Sequence, residues 1–156
     1  MKLAIGCDEA AFELKELIKR HLIEKGLDVT DFGTYDTQPV NYPSIAFAVA
    51  ESIVRGESER AVLLCGTGIG MAMSANKVSG IRAAQCHDTY SAERAIRSND
   101  AQIITLGARV VGPELAKAIV DSWLAARFDG GRSAVKVDLI KEYEGRHPLA
   151  ADDQGP

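Results

Sequence analysis

Three cysteines, Cys7, Cys65 and Cys86, are an odd number at wide spacing, which excludes a disulfide framework and a zinc knuckle alike. All three are expected to be reduced thiols. A basic excess is also missing. The 18 Lys and Arg against 22 Asp and Glu leave a net charge of −4, which argues against nucleic-acid binding and points to a small partner. No apolar run approaches bilayer length, and the opening Lys2-Leu3-Ala4-Ile5-Gly6 reads as too short for a secretory signal, so none is expected. The expected compartment is the cytoplasm, with no membrane partner. Two nucleotide signatures are absent as well: a dinucleotide fingerprint starting at Gly66-Thr67-Gly68 would need glycine where Met71 stands, and no Walker-type lysine–serine pair follows. What is present, 46% apolar and 26% charged residues over 156 positions, suits one globular domain with one sizeable core. The domain is expected over residues 1–147. Residues 148–156 carry no periodicity and read as a disordered tail.

Residues 3–6 read as a short buried strand, followed by a helix with Phe12, Leu14, Leu17, Ile18, Leu22 and Ile23 at helical spacing and a stop at Gly26. A second strand is predicted over 28–32 and a polar loop over 33–40. Asn41-Tyr42-Pro43-Ser44 then opens a helix with Ile45, Val49, Ile53 and Val54 on its buried side. Further strands are predicted over 62–64, 81–86 and 103–106, and helices from Gly68 to Lys77 and over 90–96 and 113–126. A glycine turn at Gly130-Gly131 leads to a final helix reaching Tyr143, of the kind that often docks on a neighbouring subunit. Strands alternate with helices throughout, and each connection suits a crossover. The prediction is a three-layer α/β/α fold, a Rossmann-like, doubly wound parallel five-stranded sheet with an extra carboxyl-terminal helix. Ligands in such sheets collect at the carboxyl ends of strands, where Asp8, Cys65, His87 and Gly107 would gather.

The central stretch runs from Ala61 through Val62, Leu63, Leu64 and Cys65 to Gly66-Thr67-Gly68-Ile69-Gly70. The glycines permit close backbone approach, and a helix amino terminus supplies N–H donors and partial positive charge beside a thiol whose pKa it would lower. Such a turn can hold an anion. It can equally be an ordinary strand-to-helix turn with an inert core cysteine, and both readings stand on this stretch alone.

Beyond that stretch, Ile5-Gly6-Cys7-Asp8, Asp31-Phe32-Gly33-Thr34-Tyr35, Tyr42-Pro43, Ala75-Asn76-Lys77, Gly80-Ile81-Arg82-Ala83, Tyr90-Ser91-Ala92, Asn99-Asp100, Gly107-Ala108-Arg109-Val110-Val111-Gly112 and Gly130-Gly131-Arg132 occur in order along the chain. Together with Cys65 to Gly70 they resemble the type B ribose-5-phosphate isomerase family, which includes galactose-6-phosphate isomerase subunits. The resemblance implies a cytoplasmic enzyme without cofactor or metal, a small phosphorylated sugar as substrate, and a homodimer or dimer of dimers with shared active sites. Aldose–ketose isomerisation needs a base near neutral pKa and fixed donors for an enediolate. Cys65 suits the base, and the backbone of Gly66, Gly68, Ile69 and Gly70 the donors, with Thr67 beside them. Asp8, Tyr42 and Asn99 resemble substrate contacts, and Arg109, Arg132 and Lys136 resemble the phosphate site, drawn from two subunits.

The chain departs from the family pattern at two places. Glu9 stands where histidine is usual beside Asp8, and its charge would repel a phosphate unless it turns away or finds a cation. Ser98 stands where ribose-type members have a ring-opening histidine, and a serine hydroxyl is a poor acid or base near pH 7. A tetrose 4-phosphate cannot close a five-membered ring and needs no ring opener. The expected substrate pair is therefore D-erythrulose 4-phosphate/D-erythrose 4-phosphate or ribose 5-phosphate/ribulose 5-phosphate. Galactose or allose 6-phosphate isomerisation and a non-catalytic phosphosugar-binding subunit are the alternatives.

Overall fold

The computed structural model describes residues 1–146, so the predicted tail and the end of the predicted domain lie outside the described residues. Five strands, β1 (Lys2–Cys7), β2 (Asp28–Asp31), β3 (Arg60–Cys65), β4 (Ala83–Gln85) and β5 (Ile103–Gly107), form one sheet in the order β2-β1-β3-β5-β4. Every pairing is parallel. The predicted doubly wound α/β fold is the one observed. The three inner strands are the near-continuous apolar runs of the sequence, because a parallel strand buried on both faces has no polar side to show. Edge strand β2 instead alternates between exposed and half-buried residues, and its Asp28 and Asp31 make it a poor template for further pairing.

Helices α1 (Phe12–Glu24), α2 (Tyr42–Val54), α3 (Ile69–Ala75), α4 (Thr89–Arg97) and α5 (Pro113–Ala125) follow the strands in turn, and α6 (Arg132–Arg146) comes last. Local chemistry fixes their ends. The Asp88 carboxylate accepts from the Ser91 N–H at 2.7 Å to open α4, prolines occupy the first turns of α2 and α5, and Gly26 leaves α1 with φ of 79°. One face of the sheet packs Ile18 and Leu22 of α1, Ile96 of α4 and Trp123 of α5 over Ile5, Leu64 and Leu106. The other packs Val49 of α2 and Met71 of α3 over Ala4, Leu63 and Ile103. No described helix is long and apolar enough to cross a membrane.

Several boundaries differ from the sequence reading. The fourth strand shrinks from 81–86 to three residues, because Asn76 exchanges two 2.8 Å hydrogen bonds with the Ala83 backbone, and the Gln102 side chain takes the Arg82 N–H. Helix α3 stops at Ala75, short of Lys77, and Val54 at the end of α2 is exposed. The second strand ends at Asp31, one residue early. The fold's main service to function is its switch point. From β1 the chain steps out to β2 and then returns past β1 to β3, so a crevice opens between the carboxyl ends of β1 and β3.

Candidate active site

Asp8 leaves the carboxyl end of β1 and Cys65 ends β3, so the crevice has a carboxyl group on one side and a thiol on the other. The turn between them is locked by backbone contact. Gly68 sits at φ of 79°, and a Cβ there would meet the Leu106 backbone at 3.0 Å, while a Cβ on Gly107 would meet the Thr67 backbone at 2.7 Å. Glycine at both positions lets the 65–70 turn lie flat on the end of β5. The buried Thr105 hydroxyl then donates to the Gly68 carbonyl at 2.8 Å, and Gln85 donates to the Thr67 carbonyl at 2.7 Å. The Cys65 Sγ accepts from the Gly68 N–H at 3.0 Å, and Thr67 Oγ1 accepts from the Ile69 N–H at 3.3 Å.

A cavity of about 500 Å³ opens over this turn. Of the residues singled out in the sequence, Asp8, Glu9, Tyr42, Cys65, Gly66, Thr67, Ile69, Gly70 and Arg109 line it, joined by Ala10 and Met73. Gly68 lies buried behind the turn it permits. Met73 was not foreseen, although it follows Ile69 by one helical turn and its place on α3 could have shown it. The Tyr42 ring rests so close on Gly70 that a Cβ there would come within 2.7 Å of it. The Arg109 guanidinium lies over Gly66, with Nη1 at 3.5 Å from where a Cβ would be.

Asp8 Oδ1 is buried and has no hydrogen-bond partner, so this wall of the cavity offers an unsatisfied polar atom. Burial, reinforced by the neighbouring Glu9 charge, pushes the Asp8 carboxyl above the usual range against the pull of the Ala10 and Ala11 N–H groups and Arg109. Glu9 turns its Oε2 to the Val40 N–H at 3.1 Å. The two remaining thiols are fully buried, and burial pushes Cys7 and Cys86 up to about 12. At neutral pH, alkylation by iodoacetamide is expected at Cys65 alone, which peptide mapping reads directly. Because folding raises the other two, the native state holds protons that the unfolded chain releases, so stability falls from about pH 8.5 towards pH 12, on the order of 4 kcal/mol per thiol. Denaturation of wild type and Cys7→Ala/Cys86→Ala between pH 8 and 11 checks this: the double variant should show the shallower decline.

Four sequence-selected residues lie elsewhere. Ser98 closes α4 at the amino-terminal edge of the sheet, where its Oγ accepts from Arg94, and the adjacent Asn99 carbonyl accepts from Arg82 at 3.0 Å. Arg132 and Lys136 are exposed on α6, whose approach is tied to α4 by the Arg97–Asp129 ion pair at 3.0 Å. A single chain therefore does not bring Ser98, Asn99, Arg132 and Lys136 to Cys65. His87 accepts from the Gly107 N–H through Nε2 at 3.0 Å and serves the backbone beside the turn.

The sequence matches the family described as Ribose/Galactose Isomerase over residues 3–140. It is 58% identical over 146 residues to a D-erythrulose-4-phosphate isomerase of Pectobacterium atrosepticum, covering 92% of this chain and 95% of that protein. It is 55% identical over 144 residues to ribose-5-P isomerase B of Listeria innocua, covering 92% and 97%. Among solved structures, ribose-5-phosphate isomerase B of Clostridium thermocellum superposes with a TM-score of 0.93 at 46% identity, covering 94% of this chain and 99% of that one.

Proposed function

Because the chain belongs to the ribose/galactose isomerase family and is an isomerase of phosphorylated aldoses and ketoses, we propose that it moves a proton between adjacent carbons of a short-chain sugar phosphate through an enediolate, with Cys65 as the base. The observation that carries this reading is the pairing, across one cavity, of the Cys65 thiol with the unsatisfied Asp8 Oδ1. The thiolate takes the proton from the carbon next to the carbonyl and returns it to the neighbouring carbon, while Asp8 holds a sugar hydroxyl. The turn backbone and Thr67 stabilise the enediolate oxygens.

The preferred pair in this reading is D-erythrulose 4-phosphate/D-erythrose 4-phosphate. Ser98 is engaged by the Arg94 guanidinium, and its hydroxyl has no acid–base use near pH 7, so an open-chain substrate fits best. Ribose 5-phosphate/ribulose 5-phosphate is the second reading, favoured by the relative from Listeria innocua. Turnover of both pairs and of galactose 6-phosphate by the wild-type protein tests the proposal. The highest kcat/KM is expected on the tetrose, and no turnover of any of them would leave a phosphosugar-binding subunit as the function.

A homodimer completes each site in this proposal. Helix α6 leaves Val135, Leu139 and Ile140 exposed, an apolar stripe suited to a second copy, and Arg132 and Lys136 share that helix. In this reading Arg132 and Lys136 reach the partner's cavity and hold the phosphate with Arg109, while the Ser98–Asn99 corner meets the sugar. Arg132→Ala is expected to raise KM at least tenfold with a smaller change in kcat, since a charge-assisted contact contributes about 1.5–3 kcal/mol. At substrate concentrations well below the wild-type KM, mixing this variant with Cys65→Ala should give about a quarter of wild-type activity, because half the dimers are mixed and each has one intact site of two.

A further inference from the structure

Glu9 is the residue whose charge looks misplaced beside a phosphate-binding cavity, and its geometry gives it a different task. Residues 32–41 cross from the end of β2 to the start of α2. Lys15 holds the early part of this segment, donating from Nζ to the Thr34 carbonyl at 2.8 Å. The later part depends on Glu9: among the described residues, the Glu9–Val40 bond is the only side-chain hydrogen bond tying residues 37–41 to anything outside the 32–41 segment, since the Gln38 N–H reaches only Asp36 of the same segment. Two residues on is Tyr42, first residue of α2, whose ring closes over Gly70 of the catalytic turn. Glu9 and Tyr42 both line the cavity.

We propose that Glu9 is a specificity-determining positioning residue: by holding the Val40 N–H it fixes Tyr42 against Gly70 and so closes the cavity to longer sugar phosphates. This rests on the isomerase reading above and adds to it the device that sets substrate length. A released Val40 would let the start of α2 move outward and take the Tyr42 ring off Gly70, lengthening the cavity that both residues line. The bond to Val40 also occupies one carboxylate oxygen with a backbone donor, which is how a negative side chain is accommodated beside an anionic substrate.

Three variants separate the hydrogen bond from the charge. Glu9→Gln removes the charge and keeps an acceptor of the same reach, Glu9→Ala removes both, and Glu9→Asp keeps the charge on a stem too short to reach Val40. Changes at Asp8 caused by losing the Glu9 charge are common to Gln and Ala and cancel between them. The kcat/KM ratio of D-erythrulose 4-phosphate to galactose 6-phosphate is expected to fall about tenfold or more in Glu9→Ala and Glu9→Asp, through KM, and to stay within about threefold of wild type in Glu9→Gln. Hydrogen exchange at Val40 should rise in the first two and not in the third. An unchanged ratio in Glu9→Ala, or a shift of equal size in Glu9→Gln, overturns the proposal. Should Glu9→Ala not fold, Glu9→Asp and the exchange at Val40 decide it. Failure of the underlying isomerase reading shows separately, as absence of turnover by the wild-type protein on every sugar phosphate.

Discussion

Cys65→Ala is expected to lower kcat on the preferred sugar phosphate by about 10²–10⁴-fold while KM changes little. The Cys65 Sγ lies at the end of β3 on the wall of the cavity, and Met71, on α3 just after the turn, is buried in the core and supplies no base there. The phosphate contacts proposed for Arg109, Arg132 and Lys136 are untouched by the change, so binding survives. Sγ also accepts the Gly68 N–H, and its loss could loosen the turn instead of removing a base. Cys65→Ser separates the two causes: the hydroxyl can still accept from Gly68, but it cannot ionise near pH 7. Both variants should lose exchange of solvent deuterium into the sugar to the same extent. Recovery of exchange in the serine variant would assign Cys65 a supporting role. Retained exchange in both, with its loss in Asp8→Asn, would move the base to Asp8, whose buried Oδ1 has no hydrogen-bond partner.

The parts of the fold that could be read in the sequence are those whose cause is local. The runs at 62–64 and 103–106 are strands because both faces are buried, and Gly68 marks the turn because its φ of 79° and the Leu106 backbone beside it leave no place for a side chain. Strand order is not local. It depends on contacts such as Gly107 on Thr67 and Thr105 on Gly68, which join segments distant in sequence and leave no periodic trace. The candidate site divides the same way. Asp8 and Cys65 follow from strand ends, whereas the resemblance that selected Ser98, Asn99, Arg132 and Lys136 describes an assembly. In one chain Ser98 and Asn99 close α4 and Arg132 and Lys136 stand exposed on α6, and none of them lines the cavity of Cys65.

Lys15 was invisible for a different reason. A lysine between Leu14 and Ile18 on an amphipathic helix normally reads as solvated, yet Lys15, Ile18 and Leu22 follow the three-and-four spacing of the buried stripe, and that spacing was the available signal. Its ammonium is fully buried, 2.7 Å from Asp31 Oδ2, 2.8 Å from the Thr34 carbonyl and 5.4 Å from the centres of the Phe12 and Tyr35 rings. Glu16 Oε1 at 2.8 Å and Phe12 share its helix, but Asp31 and Thr34 come from β2 and the loop beyond it, which no helical pattern announces.

Lys15→Met is accordingly expected to destabilise the chain by about 3 kcal/mol, at the low end of the cost of breaking a buried pair, because Asp31 keeps Lys19 at 2.7 Å and the Gly33 N–H at 2.9 Å. For a chain of this size that corresponds to a fall in Tm of roughly 6–12 °C. The pH dependence has a definite sign. Burial alone would raise the Asp31 carboxyl, but the hydrogen bonds from Lys15, Lys19 and Gly33 outweigh it and hold it below the ordinary range. A carboxyl depressed by folding contributes stability above its unfolded pKa of about 3.9 and loses it as pH falls through the folded value. The gap between wild type and Lys15→Met should therefore be full at neutral pH and shrink on acidification below about pH 4, as urea denaturation across that range would read. In Asp31→Asn/Lys15→Met the two costs should combine to less than their sum, since each single change already breaks the same pair. Lys15 does not line the cavity, so turnover well below Tm should stay within a few fold of wild type. Loss of turnover in a folded Lys15→Met protein would mean that the loop anchored at Thr34 transmits its position to Tyr42, and the buried cation would then be part of the same device that Glu9 completes from the other end.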